Sequence, residues 1–281
     1  MGSFIIKKYH GLGNDYLVID PNKSDVALKD THIKKLCKRN FGIGADGILY
    51  GPIKEDGKMK VRCFNPDASE ATNTGTGIRI FAKYLKDEGY ATGDSVDFYT
   101  ASGKASVEFL NEDGTLVRAK MGKADFHASA IPVIGEEREV INEAMYFGGT
   151  LCEVTCLSVG NPHCAMFSGD VNYKKVMEMG PIVENAEYFP DRINFMLMEV
   201  ENKKQIKIEV YERGAGYTLA SGTSACAAAA VCVRLGMTER KVTVVQPGGE
   251  LEIEIDENEQ IIMTGSVADV GMMMLTDTFF E

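Results

Sequence analysis

Positive charge is in short supply: the 281 residues carry 30 Lys and Arg against 41 Asp and Glu, a formal net charge of −11. Such a field repels polyanions and no Lys/Arg block offsets it, so nucleic acid is not an expected partner. Long apolar runs are missing too. None approaches the ~18 residues of a membrane span, and the opening MGSFIIKKYHG lacks the basic, apolar and small-residue layout of a signal peptide. The expectation is a cytoplasmic protein with no membrane partner. A disulfide framework is also absent. The seven cysteines are odd in number, with no short secreted scaffold to staple, and read as reduced thiols. Cys152 and Cys156 are spaced C-x3-C, but no nearby Cys/His pair completes a zinc site, so no metal is expected. What is present is a 44% hydrophobic composition, ample for a buried core and suited to two domains of ordinary size.

Self-similarity decides architecture before any local reading does. Gly13-Asn14 in HGLGNDYLVID matches Gly160-Asn161 in SVGNPHCAMF, and 160 − 13 = 147. Phe64 in KVRCFNPDASEATNTGTGI and Tyr211 in KIEVYERGAGYTLASGTSA share that offset, which sets Thr74-Gly75-Thr76 on Ser221-Gly222-Thr223. A weaker third match, Ala45-Asp46-Gly47-Ile48 on Arg192-Ile193-Asn194-Phe195, keeps the register. An unchanged offset across separate motifs implies internal duplication.

The expected halves are residues 1–126 and 127–281, with roughly the last ten residues, around MMMLTDTFFE, able to cross back to the first half. Strand-like runs are Phe4–Tyr9, Tyr16–Ile19, Met59–Phe64, Val154–Val159 and Gln205–Tyr211, with Leu251–Ile255 and Ile261–Val267 closing the second half. Each half then has one helix. Ile78, Phe81, Ala82 and Leu85 recur at i, i+3, i+4, i+7. Ala225–Leu235 is apolar nearly all round, as in a helix enclosed by protein, and Gly236 supplies a stop. Shorter helices are expected at Thr31–Arg39, Tyr173–Met179 and Glu137–Phe147. The fold class is α/β (α+β): two pseudo-symmetric halves, each a mainly antiparallel sheet wrapped around a central helix.

Gly75-Thr76-Gly77 and Gly222-Thr223-Ser224 stand just before the two central helices, where unpaired N–H groups and the positive dipole end favour an anion. Glycine permits close backbone approach. Simple N-capping by Thr74 and Ser221 would account for either motif alone. As a duplicated pair, with Glu212-Arg213-Gly214 and Gly160-Asn161-Pro162-His163 nearby in pattern, they point instead to a small-molecule site shared by the halves and to one bound carboxylate.

Over essentially its whole length the sequence resembles the cofactor-independent diaminopimelate epimerases. The resemblance rests on HGLGNDY (10–16), FGIGADGIL (41–49), FNPDASEA (64–71), G-x-G-I-R (75–79), VGNPHCA (159–165), R-x-N (192–194) and YERGAGYTLASGTSACA (211–227). It implies inversion of an amino-acid α-carbon with no cofactor, neither pyridoxal phosphate nor metal, by two thiols on opposite faces of the substrate. It also implies that Gly75, Thr76, Gly222 and Thr223 cradle the reacting carboxylate through backbone N–H groups. Asn14, Asn65, Asn161, Asn194 and Arg213 match the family's grip on the distal amino-acid end, where a planar guanidinium suits a carboxylate. A homodimer is the implied assembly.

The family's two catalytic cysteines fall at Thr74 and Ser221, and the Asn of its C-G-N-G is Thr76. A thiol titrates near ~8.5, whereas an aliphatic hydroxyl needs strong activation. Cys226, five residues past Ser221, and Cys63 and Cys164, in strand-like surroundings, read as core thiols rather than displaced bases. Three accounts stay open. An epimerase, acting most simply on LL-diaminopimelate to give the meso form for lysine and peptidoglycan synthesis, would use His163 and Glu212 as bases or as activators of Thr74 and Ser221. A divergent relative would perform other α-proton chemistry, as a racemase of another amino acid, a tautomerase or a dehydratase. A silenced paralogue would only bind an amino acid.

Overall fold

The structure, a computed structural model, describes residues 4–24, 27–71 and 74–279. The chain divides into two compact units, residues 1–119 with 265–281, and residues 120–264. In chain order it runs β1 (Phe4–Gly11), β2 (Asn14–Ile19), α1 (Asp30–Cys37), β3 (Gly47–Glu55), β4 (Lys58–Phe64), β5 (Glu70–Ala71), α2 (Gly75–Asp87), β6 (Ser95–Thr100), β7 (Gly103–Phe109) and β8 (Leu116–Gly122). Then come β9 (Glu143–Phe147), β10 (Thr150–Ser158), β11 (Pro162–Phe167), α3 (Tyr173–Glu184), β12 (Asn194–Asn202), β13 (Gln205–Glu212) and β14 (Gly216–Thr218). The chain ends with α4 (Gly222–Arg234), β15 (Lys241–Gln246), β16 (Gly249–Ile255), β17 (Ile261–Ser266) and β18 (Ala268–Leu275).

The duplication is plain in this order. β3 and β12 begin at Gly47 and Asn194, and α2 and α4 at Gly75 and Gly222, each pair 147 residues apart. Pairing repeats as well. In the first unit β1/β2 is antiparallel, β2/β3 parallel, β3/β4 antiparallel and β4/β6 parallel. In the second, β10/β11, β11/β12, β12/β13 and β13/β15 follow the same sequence of senses. The two parallel steps are those where a connection covers a sheet face, as parallel pairing requires.

In each unit the sheet wraps its helix. Every residue of α2 from Gly75 to Leu85 and of α4 from Gly222 to Cys232 is buried, which only an enclosed helix can be. Strands show the complementary alternation: in β8, Val117, Ala119 and Met121 are buried while Leu116, Arg118, Lys120 and Gly122 are exposed. Both helices stop at a glycine in the left-handed region, Gly89 (φ 74°) and Gly236 (φ 68°), where a Cβ would be strained.

Three expectations need correction. Residues 120–126 belong to the second unit, because Asp125 bridges Ser158 and His127 bridges Glu139. The crossing back is longer than about ten residues: it starts at Gly265, and β18 pairs with β1 from Phe4↔Leu275 to His10↔Ala268. The helix expected over Glu137–Phe147 is absent. Residues 143–147 form β9, with Met145 and Phe147 buried at strand period, and Gly148 and Gly149, both at positive φ, turn the chain into β10. The Thr31–Arg39 helix is α1, and α3 runs past the expected Met179 to Glu184, carrying Pro181 in its last turn.

Candidate active site

In the first unit the site is built on the start of α2. Thr74 is its N-cap: the backbone is extended (φ −147°, ψ 116°) and Oγ1 accepts from the Gly77 N–H at 3.1 Å. The same oxygen lies 3.1 Å from the Tyr16 hydroxyl. Helix geometry leaves the N–H groups of Gly75 and Thr76 without an intrahelical acceptor. The Thr76 side chain is 1% exposed, and its Oγ1 has no hydrogen-bond partner among the described residues. A buried hydroxyl so left costs free energy unless something occupies the space beside it. A Cβ at Gly11 would lie 2.9 Å from Thr76 Cγ2, so glycine there lets β1 pass against this helix start.

Asn14 and Asn65 have other hydrogen-bond partners. Asn14, 1% exposed at the start of β2, donates from Nδ2 to Asp46 Oδ2 at 2.9 Å. Asp46 and Asp15 share the Arg39 guanidinium, with Nη2 2.7 Å from each. Burial raises the Asp15 carboxyl, but hydrogen bonds from Arg39 and Lys8 outweigh it and hold Asp15 low. Burial and the charge of Asp15 push Asp46 up. Asn65 donates to Ser69 Oγ at 3.0 Å in the turn after β4.

The second unit joins more of the expected residues. Ser221, 2% exposed, caps α4 and accepts from the Ser224 N–H at 3.3 Å. Its Oγ is 3.5 Å from Thr223 Oγ1, which accepts from Asn161 Nδ2 at 3.3 Å. Asn161 Oδ1 faces His163 Nε2 at 3.0 Å, and His163 Nδ1 faces Ser224 Oγ at 3.4 Å. The chain of side-chain contacts from Ser221 to Ser224 is closed back on Ser221 by the Ser224 main-chain N–H. With the Asn161 amide nitrogen turned to Thr223, its oxygen accepts from His163 Nε2–H, so Nδ1 carries the lone pair. His163 is wholly buried, and burial, with the Arg213 charge second, pushes its pKa down to about 3. It is a neutral imidazole at pH 7, held two bonds away from Ser221 rather than on it.

The remaining residues lie at the ends of β12 and β13. Asn194, 4% exposed, donates to the Pro162 carbonyl at 2.7 Å and accepts from the Arg213 N–H at 2.9 Å, which ties β12, β13 and the start of β11 together. Arg213 Nη1 reaches the Asp191 carbonyl at 3.0 Å. Burial, reinforced by the Arg192 charge, lowers the Arg213 pKa, the mark of a guanidinium held where an anion would be welcome. Glu212 accepts from Thr218 Oγ1 at 3.1 Å. Gly222 and Thr223, like Gly75 and Thr76, present N–H groups that have no intrahelical acceptor.

Three participants went unread in the sequence. Tyr16 and Ser224 each lie within a quoted motif but meet their partners about sixty residues away, 58 for Tyr16–Thr74 and 61 for Ser224–His163. Gln246 accepts the Ser221 N–H at 2.7 Å, and its buried Nε2 has no partner among the described residues. Nothing local at Gln246 signals this. Cys164 and Cys226 are 0% exposed and Cys63 is 8% exposed. Burial and the neighbouring Cys156 raise the Cys164 thiol, the opposite of what a thiolate base needs.

A family model described as diaminopimelate epimerase matches residues 6–127 and 155–270. "Diaminopimelate epimerase 2" of a Nostoc species is 42% identical over 274 residues, covering 97% of this chain and 96% of that protein. The diaminopimelate epimerase of Pelotomaculum thermopropionicum is 39% identical over 267 residues, covering 94% and 95%. Among solved structures, a hydroxyproline epimerase from Agrobacterium vitis superposes with a TM-score of 0.73 at 13% identity, covering 97% of this chain and 92% of that one. At that identity the likeness speaks to the fold. The matched residues span both units, and the chain belongs to the diaminopimelate epimerase family.

Proposed function

We propose that the protein is an isomerase that inverts the α-carbon of an amino acid, converting LL-diaminopimelate to the meso form. The observation that carries this reading is relatedness at 42% identity across 97% of the chain to a diaminopimelate epimerase. The reading takes it to be a cytoplasmic homodimer, without pyridoxal phosphate or metal, that supplies lysine and peptidoglycan synthesis.

In the proposed roles, the N–H groups at the start of α2, and likewise those at the start of α4, are each suited to a carboxylate and to the charge that develops when the α-proton leaves. Arg213, Asn65, Asn161 and Asn194, with Asn14, serve the distal amino-acid group, the guanidinium pairing with its carboxylate. The chemistry asks for one group that takes a proton and one that returns it. The first unit offers Thr74, the second Ser221. His163 and Glu212 serve Thr74 and Ser221 as bases or activators; within the second unit, neutral His163 contacts Asn161 and Ser224, and the Ser224 N–H in turn donates to Ser221 Oγ.

Hydroxyls in place of thiols favour a second reading, α-proton chemistry that stops short of inversion. Incubation with LL-diaminopimelate in D2O separates the two. Deuterium at the α-carbon with meso product supports the epimerase; a keto or unsaturated product supports the second reading; binding without exchange refutes turnover of this substrate. Restoring thiols with Thr74→Cys and Ser221→Cys raises the epimerisation rate if these positions carry the protons, and leaves it unchanged if they do not.

A further inference from the structure

The hydroxyls at Thr74 and Ser221 are not equivalent, and the difference is a phenol. We infer that Tyr16 is the proton reservoir of the first unit's half-site, acting through Thr74 as a positioning and relay residue. The inference rests on the epimerase reading above.

The geometry is specific. Thr74 Oγ1 accepts from the Gly77 N–H at 3.1 Å and sits 3.1 Å from the Tyr16 hydroxyl. The Gly77 contact uses one lone pair of the oxygen, leaving a second lone pair and the hydroxyl hydrogen for the phenol and for a ligand. The phenol is held in place by its strand. Tyr16 lies opposite Gly47 in the parallel β2/β3 pair, and a Cβ at Gly47 would stand 2.5 Å from Tyr16 Cε1, so the ring occupies the space that glycine leaves. Tyr16 is only 6% exposed, which fixes the hydroxyl against Thr74 rather than in bulk water. Among the described residues Ser221 has no such neighbour: its contacts, Thr223 Oγ1, the Ser224 N–H and Gln246, are aliphatic hydroxyl and amide groups.

Chemistry gives the arrangement its purpose. An aliphatic hydroxyl ionises too weakly to act as a base unaided, whereas a phenol ionises near ~10. When the relay runs as a base, the Cα–H bond breaks and Thr74 Oγ1 takes that proton. At the same time Thr74 passes its own hydroxyl proton to the Tyr16 phenolate oxygen, forming Tyr16 O–H. Thr74 ends as it began, and the negative charge has moved from the phenolate to the substrate carbanion. Run backwards, Tyr16 O–H gives its proton to Thr74 as Thr74 gives one to the carbanion, leaving the phenolate. The phenolate is formed beforehand by loss of the Tyr16 phenol proton to hydroxide from bulk water, a step that burial opposes and higher pH favours, and the relay then needs no further reactant.

A four-way comparison tests this: wild type, Tyr16→Phe, Thr74→Cys, and the two combined, each assayed for epimerisation and deuterium exchange of LL-diaminopimelate. Loss of a general acid–base group predicts that Tyr16→Phe lowers kcat about 100-fold while KM stays within about twofold. In the Thr74→Cys background the loss from Tyr16→Phe shrinks to below about tenfold, because a thiol near ~8.5 ionises by itself. Equal kcat for wild type and Tyr16→Phe overturns the relay. The same loss in both backgrounds also overturns it, in favour of a purely structural phenol. A wild type that neither epimerises nor exchanges overturns the functional reading and the relay together, whereas an active wild type with an equally active Tyr16→Phe overturns the relay alone.

Discussion

Acidification from pH 7 to pH 5 tests the electrostatics of the second unit through His163. Burial holds this imidazole neutral, with its pKa pushed from the ordinary 6.5 down to about 3. The folded pKa is the lower one, so between the two values the unfolded chain binds more protons than the folded one. His163 therefore contributes stability that is complete above about pH 6.5 and is lost as the pH falls toward 3. Between pH 7 and pH 5 the unfolded histidine takes up about 0.7 of a proton and the folded one almost none, which costs about 2 kcal/mol. Any folded value below about 4 leaves that figure nearly unchanged, since the folded imidazole is neutral at pH 5 in every such case. The measurement is urea unfolding, followed by far-UV circular dichroism, of wild type and His163→Gln at both pH values. Glutamine keeps an N–H donor for Asn161 but does not titrate. Carboxylates titrate in both proteins and cancel, so wild type should lose about 2 kcal/mol more than the variant. Equal losses in the two proteins refute a buried neutral histidine.

Removing a cap has a simpler signature: Ser221→Ala deprives the Ser224 N–H of its acceptor and should cost about 1 kcal/mol in urea unfolding, and an unchanged midpoint would count against the cap. Gly180→Ala builds a Cβ 2.4 Å from the Tyr211 ring. Overpacking of this kind is worth about 1–3 kcal/mol of destabilisation by the same assay, and a neutral result would mean the ring moves freely. Arg213→Lys replaces a planar fork with a point charge. It should weaken calorimetric binding of diaminopimelate at least about tenfold if a bidentate carboxylate contact is lost, and unaltered affinity would remove Arg213 from the proposed grip.

Local physics made much of this protein readable in advance. Hydrophobic periodicity located α2, and an apolar stretch ended by Gly236 located α4. Thr74 and Ser221 read as caps because a cap is a contact across three residues, and in the structure each accepts from the N–H three positions on. The helix expected at Glu137–Phe147 failed because two glycines and the pairing partner β10 decide that segment, and the partner is not a local property.

The sequence by itself determined the duplication, since a constant offset of 147 residues is a fact about order along the chain and reappears at the starts of β3 and β12, β4 and β13, and α2 and α4. It also determined the two glycine-rich helix starts and the absence of thiols at their caps. Only the tertiary structure decided what those caps touch. Tyr16 reaches Thr74 across 58 residues, His163 reaches Ser224 across 61, and Gln246 reaches the Ser221 N–H across 25. Hydrogen bonds act over about 3 Å in space whatever the separation in sequence, so the neighbours that set a hydroxyl's chemistry emerge only when the sheets close around their helices.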